Sequence, residues 1–160
     1  MIRWGLWFVL VPQAFLLAGW LGEAGLAAID AGALLCLYLA WFARPHALPG
    51  LLLGAAVGRA VVDEAGVAVQ ILVLGVPVAA LLPLRALFYR HQLGWQIAVT
   101  AVFAVAVPRC AALCGAWFDQ PSAAAVLDGE RVLWTSLLGP LLLAVLRRLP
   151  PLAAFVERAA

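Results

Sequence analysis

The sequence predicts an all-α, polytopic membrane helical bundle of six transmembrane helices with both termini cytoplasmic. Three observations predict it. The 160 residues are 67% hydrophobic and 11% charged, whereas a soluble domain carries ~25% charged residues. Several apolar runs approach the ~20 residues that a bilayer-spanning helix requires. The few charges are sorted by sign along the chain. Backbone groups in lipid must bond within their own segment, and the ~10-residue alternating strands of a barrel are missing, so the spans are helices. Residues 1–160 form a single integral membrane domain.

The spans run in order at about 4–22, 26–43, 48–64, 67–84, 93–117 and 131–149. The first follows Arg3 and reads WGLWFVLVPQAFLLAGWLG. Its apolar core exceeds the ~7–15 residues of a signal peptide and contains Pro12 and Gln13, so it is a retained span. The third is short and the fifth long. Pro12, Pro77, Pro83, Pro108 and Pro140 fall within or near span interiors, where prolines kink helices. Trp4, Trp7, Trp20, Trp95, Trp117 and Trp134 lie near span ends, as aromatic belts do.

Six spans place Arg3, Arg44, Arg85, Arg90, Arg147, Arg148 and Arg158 on one side with one acid, Glu157. The other side holds Glu23, Asp63, Glu64, Asp119, Asp128 and Glu130, with Arg131. Cytoplasmic loops are enriched in basic residues, so the arginine-rich side is cytoplasmic. Asp63 and Glu64 then form an exterior loop.

Asp30, Arg59 and Arg109 fall inside the predicted spans. A charge at the bilayer centre costs at least ~2.5–3.5 kcal/mol on insertion scales. The topology brings all three, with Gln70, to the outer half. Two readings stand for them. Each arginine can snorkel to the outer headgroups, and Asp30 can be a helix-start residue whose carboxylate suits the positive end of the dipole. Alternatively the four form one polar cluster, with Asp30 paired to one arginine and the other meeting an anion such as lipid phosphate. Arg59 and Asp63, four apart, can also meet on one helix face.

Gly50, Gly54 and Gly58 make a small-xxx-small row on the third span, which permits close helix approach inside the bundle or with a partner. Ala14 and Ala18 make a weaker version on the first. His46 and His91 read as solvated loop residues, and Cys36, Cys110 and Cys114 as small packing residues. No nucleophile–base set, metal-ligand pattern, phosphate loop or dinucleotide fingerprint appears, so neither an enzyme nor a cofactor or metal site is expected.

An apolar span ending in LYLAWFARPH (37–46) precedes the glycine-spaced GLLLGAAVGRA (50–60) and AGV (65–67). LRALFYRHQLGWQ (84–96) and LLGPLLLAVLRR (137–148) follow. This order resembles the rod shape-determining protein MreD family. The matching positions are Pro45, His46, the glycine row, Gly66, Trp95, Gln96 and Pro140, over roughly residues 30–150. Arg59 departs from the family, many of whose members carry an acid after the second glycine. The resemblance implies a non-enzymatic scaffold of bacterial cell elongation and peptidoglycan synthesis, multi-pass in the cytoplasmic membrane. It implies an MreC-like single-pass partner, a wall-synthesis glycosyltransferase and transpeptidase, actin-like MreB indirectly, membrane lipid, and no nucleic acid. The family's fold is similar to the substrate-binding subunits of energy-coupling-factor transporters, which supplies the alternative reading of a small-solute transporter subunit.

Overall fold

The structure is a computed structural model that describes residues 2–23, 29–86, 92–121, 126–149 and 155. Among these residues it is all-helical, without strands: α1 (Ile2–Glu23), α2 (Ala31–Phe42), α3 (Leu48–Ala60), α4 (Val67–Leu81), α5 (Leu93–Phe118) and α6 (Gly129–Leu146). A 3₁₀ turn, Leu82–Ala86, continues α4. Arg90, Glu157 and Arg158 of the charge sorting, and the loop residue His91, lie outside the described residues.

Three helices are shorter than their apolar runs. The second starts at Ala31, not near residue 26, because Asp30 adopts extended backbone and caps it. The third stops at Ala60, and Asp63 and Glu64 fall in the turn beyond. Acids oppose the negative end of a helix dipole, and Gly66 opens the next helix from extended backbone. The fourth ends at Leu81 and tightens into a 3₁₀ turn over Leu82–Ala86, with Leu82 still in helical backbone. In contrast, α1, α4, α5 and α6 continue through Pro12, Pro77, Pro108 and Pro140. Two helices, α5 and α6, are long and apolar enough to cross a membrane; α1 is apolar over Trp4–Trp20.

The centre is α2. Its sequence, AGALLCLYLAWF, has no polar face, and ten of its twelve residues are buried, as expected for a helix apolar all round. The other helices lie around it. Arrangement by size is inverted on the outer helices. The inner face of α6 is Thr135, Ser136, Gly139, Pro140 and Leu143, while Leu133, Leu137 and Leu141 face outward, Leu141 at 64% exposure. Small residues line the contacts and large apolar ones the exterior, the pattern of helices that associate by close packing.

Successive helices alternate in direction. Trp4 meets Gly50, Trp7 meets Gly54, and Val11 and Pro12 meet Gly58, so α1 and α3 run parallel. At one end, Gly19 meets Val62 and Asp30 meets Thr135. At the other, Arg85 Nη1 donates to the Ala43 carbonyl at 3.1 Å, and Arg147 lies 4.8 Å over the Phe42 ring. The Arg44 amide bonds the Phe155 carbonyl at 3.0 Å, and Phe155 packs on Trp4 and Trp7. The second end is basic. The first carries Asp30, Asp63, Glu64, Asp119, Asp128 and Glu130.

The glycine row is therefore an internal contact. A Cβ on Gly54 would stand 2.5 Å from Trp7 Nε1, which itself donates to the Leu51 carbonyl at 3.3 Å. Trp7 was expected in an interfacial belt; it is 2% exposed and fills the space that Gly54 leaves. Ala14, by contrast, is exposed and forms no such row. Gly54→Leu is expected to lower the unfolding temperature in detergent, at a cost of about 1–3 kcal/mol for overpacking. Gly75→Leu, where nothing stands within 4 Å of an added Cβ, should melt close to wild type. Equal melting of the two variants would remove the row from the core.

Candidate functional site

Arg59 occupies the last turn of α3, where a cation suits the dipole. It is 6% exposed. Its guanidinium lies against Gly32 in the first turn of α2. A Cβ there would stand 2.9 Å from Arg59 Nη1, 3.3 Å from Cζ and 3.2 Å from Asp30 Oδ1. The missing side chain of Gly32 is thus what admits the guanidinium. Asp30 is fixed from two sides. Its Oδ1 accepts from the Ala33 amide at 3.0 Å, and its own amide donates to Thr135 Oγ1 at 2.8 Å. The helix-start reading of Asp30 is what its bonds show: it is the cap of α2, and the Arg59 guanidinium lies nearby against Gly32.

Arg59 Nη1 is buried and has no hydrogen-bond partner. Gln70, fully buried on α4, donates from Nε2 to Asp63 Oδ2 at 2.8 Å, while its Oε1 has no partner. The Asp63 carboxylate is thus engaged by Gln70. One turn deeper, Cys36 lies within electrostatic reach of Arg59, Asp30 and Cys110, and its Sγ points to the Leu74 carbonyl at 3.6 Å.

Arg109 does not join this cluster. It is exposed on α5, on the face that also shows Val102, Val105 and Leu113. The expected four-residue cluster therefore divides. Asp30 and Arg59 meet over Gly32, Gln70 engages Asp63, and Arg109 stands alone on the exterior.

The remaining motif positions do not converge. Pro45 and His46 are exposed in the turn after α2. Trp95 is exposed at the start of α5, and the Gln96 carbonyl accepts from Thr100 Oγ1 at 2.6 Å. Pro140 is buried in α6. The Gly66 amide, at the start of α4, donates to Gln120 Oε1 at 2.9 Å.

Sequence reasoning missed Thr135, Gln120 and Gly139. A Cβ on Gly139 would meet Thr100 Cγ2 at 2.5 Å, which locks α6 to α5. Gln120 follows Asp119, whose φ of 51° ends α5 in left-handed geometry. The run DQP at 119–121 is the signal for that turn. Nothing local marks Thr135, which acts on a residue 105 positions away.

Arg59 Nη1, a donor, and Gln70 Oε1, an acceptor, are each buried with unmet bonding capacity. Arg59→Leu should leave the half-buried Asp30 carboxylate uncompensated and cost about 2 kcal/mol, below the ~3–5 kcal/mol of a fully buried pair. Arg59→Lys should be milder. Gly32→Ala, which pushes on Nη1, should reproduce part of the loss. Adding Asp30→Asn to Arg59→Leu should restore part of it. Thermal unfolding of the four variants measures this; wild-type melting of Arg59→Leu would reduce Arg59 to a snorkelling residue.

No family model, curated protein or solved structure matches the chain.

Proposed function

We propose that this chain is a non-enzymatic, six-span scaffold of the bacterial cell-elongation machinery, MreD-like, in the cytoplasmic membrane with both termini inside. The membrane part draws on one observation above all: the bundle is sorted by charge at its ends and by size around its sides. The end that holds Arg44, Arg85, Arg147 and Arg148 is assigned to the cytoplasm, because basic residues accumulate there. The sides expose leucine, valine and tryptophan, Trp117 at 78%, which suits lipid and not water.

The short helices are compatible with six crossings. At 1.5 Å per residue, α2 is only ~18 Å long against a ~30 Å hydrocarbon core. Its neighbours sheathe it, so its ends meet protein groups instead of lipid. Irregular backbone is tolerated at membrane depth under that condition.

The assembly part rests on the resemblance carried by Pro45, His46, the glycine row, Gly66, Trp95, Gln96 and Pro140. Its partners are an MreC-like single-pass protein and, through it, the glycosyltransferase, transpeptidase and MreB. Because α1 occupies the glycine row, partners are assigned to other faces of the bundle. The second reading, a substrate-binding subunit of an energy-coupling-factor transporter, draws on the unmet Arg59 Nη1 and Gln70 Oε1 near the acidic end.

Two measurements test this. In a cysteine-free background, His46→Cys should label only from the cytoplasm and Asp128→Cys only from outside; the reverse pattern, or one side for both, sinks the topology. Affinity purification from native membranes should recover an MreC-like protein. Recovery of a coupling transporter instead would replace the scaffold by the solute-binding subunit.

A further inference from the structure

Arg109 is a charge within an apolar helix, on the outside of the bundle. It is exposed, and among the described residues it makes no hydrogen bond or ion pair. Ala98, Val102, Val105, Arg109, Ala112 and Ala116 follow one another at alternating steps of four and three residues, and all six are exposed. That repeat is the seam along which a second helix crosses at about 20°. From Ala98 to Ala116 it runs roughly 27 Å at 1.5 Å per residue, close to the ~30 Å of a hydrocarbon core.

The seam breaks the size sorting of the other helices. Outward positions on α6 carry Leu133, Leu137 and Leu141, and those on α1 carry Leu6, Leu16 and Leu17. Small residues are kept for contacts there. On α5 the outward seam holds alanine and valine, with Arg109 as its one long side chain. Beside Arg109, Ala112, Gly115 and Ala116 line a hollow in the surface. A neighbouring helix can approach closely along such a face.

The charge identifies the occupant. A guanidinium at membrane depth is costly without a counter-charge. With nothing seated on α5, its side chain must stretch towards the outer headgroups. A second copy of this chain would make matters worse. Two copies with the same orientation in the membrane pair about an axis along its normal, which sets this face against itself and Arg109 against Arg109. The complementary body is a helix of another chain with a carboxylate level with Arg109.

We infer that the α5 seam docks one transmembrane helix of a different protein, whose Asp or Glu pairs with Arg109. The inference rests on the membrane placement proposed above, and not on which assembly the chain joins.

The test titrates the full chain, in phosphatidylcholine vesicles, with dansyl-labelled Leu–Ala peptides of about 22 residues. The peptides carry either Glu or Gln at the depth of Arg109, and energy transfer from the chain's tryptophans reports association. The Glu peptide should bind about fivefold tighter than the Gln peptide. Arg109→Gln should abolish that preference. Ala112→Phe should weaken both peptides, with Ala116→Phe in its place if the first variant loses its helical circular dichroism. Leu141→Phe, on the outward face of α6, should change neither. Equal binding of the two peptides, a Glu preference that survives Arg109→Gln, or undiminished binding by the alanine variants overturns the inference. In native membranes, a photocrosslinking residue at position 112 should capture a protein whose transmembrane segment contains an acid, and Arg109→Gln should reduce that adduct. An adduct only with a second copy of this chain, or only with lipid, overturns the choice of occupant. A chain that does not float with vesicles sinks the membrane placement and the inference together. One that floats but shows no Glu preference sinks the seam alone.

Discussion

Helix α2 is apolar on every side and is enclosed by the rest of the bundle, so both of its ends lie among protein groups. The first amides and last carbonyls of any helix lack partners within it. In water they would be solvated; here the neighbours must serve. At the N-terminus Asp30 caps Ala33 and is itself tied to Thr135 of α6. At the C-terminus Arg85, arriving from beyond α4, donates to the Ala43 carbonyl. Both charges match the dipole of α2, negative at its start and positive at its end. The polar residues that look misplaced in an apolar sequence are largely those that terminate one short buried helix.

Arg59 follows from the same constraint. It suits the C-terminus of its own helix but lies at the N-terminus of α2, where a cation is unfavourable. The Asp30 carboxylate beside it offsets that repulsion. Gly32 leaves the space that the guanidinium occupies, and a Cβ there would push on Nη1. Cap, glycine and arginine thus form one device, contributed by two helices and anchored by a third.

Much of this was legible in the sequence. Helicity and the charge sorting followed from composition, because α-helix is what an apolar chain of this kind can form in lipid. Asp30 was read both as a cap and as a partner of arginine; it caps α2, and Arg59 lies on the other side of Gly32 without a hydrogen bond from Nη1. The glycine row was read as close contact, although its partner was not. Element ends were less legible. Apolar composition continues through the residues before Asp30 and through Val61 and Val62, so hydropathy cannot mark where the backbone leaves the helix. Trp7 shows a further limit. An aromatic near a helix end serves a belt or a core equally well, and the deciding fact is a glycine 47 positions later.

Arg59 and Arg109 have the same chemistry, and both lie in the half of their helix nearest the acidic end. The bundle treats them differently because of the faces they occupy. Arg59 follows Ala55, Ala56 and Gly58, a face of small residues that lets a neighbouring backbone come close. Arg109 shares its face with Val102, Val105 and Leu113, all exposed. Helix α5, at ~39 Å, overshoots a ~30 Å hydrocarbon core. Its last residue, Phe118, is nine positions past Arg109, roughly 14 Å along the axis. Part of that distance lies beyond the core when the overshoot is shared between the two ends. The remainder is within what a long side chain and local thinning can bridge. Arg109 therefore needs no internal partner, whereas Arg59 is enclosed at similar depth, with the space beside Gly32 to hold its guanidinium.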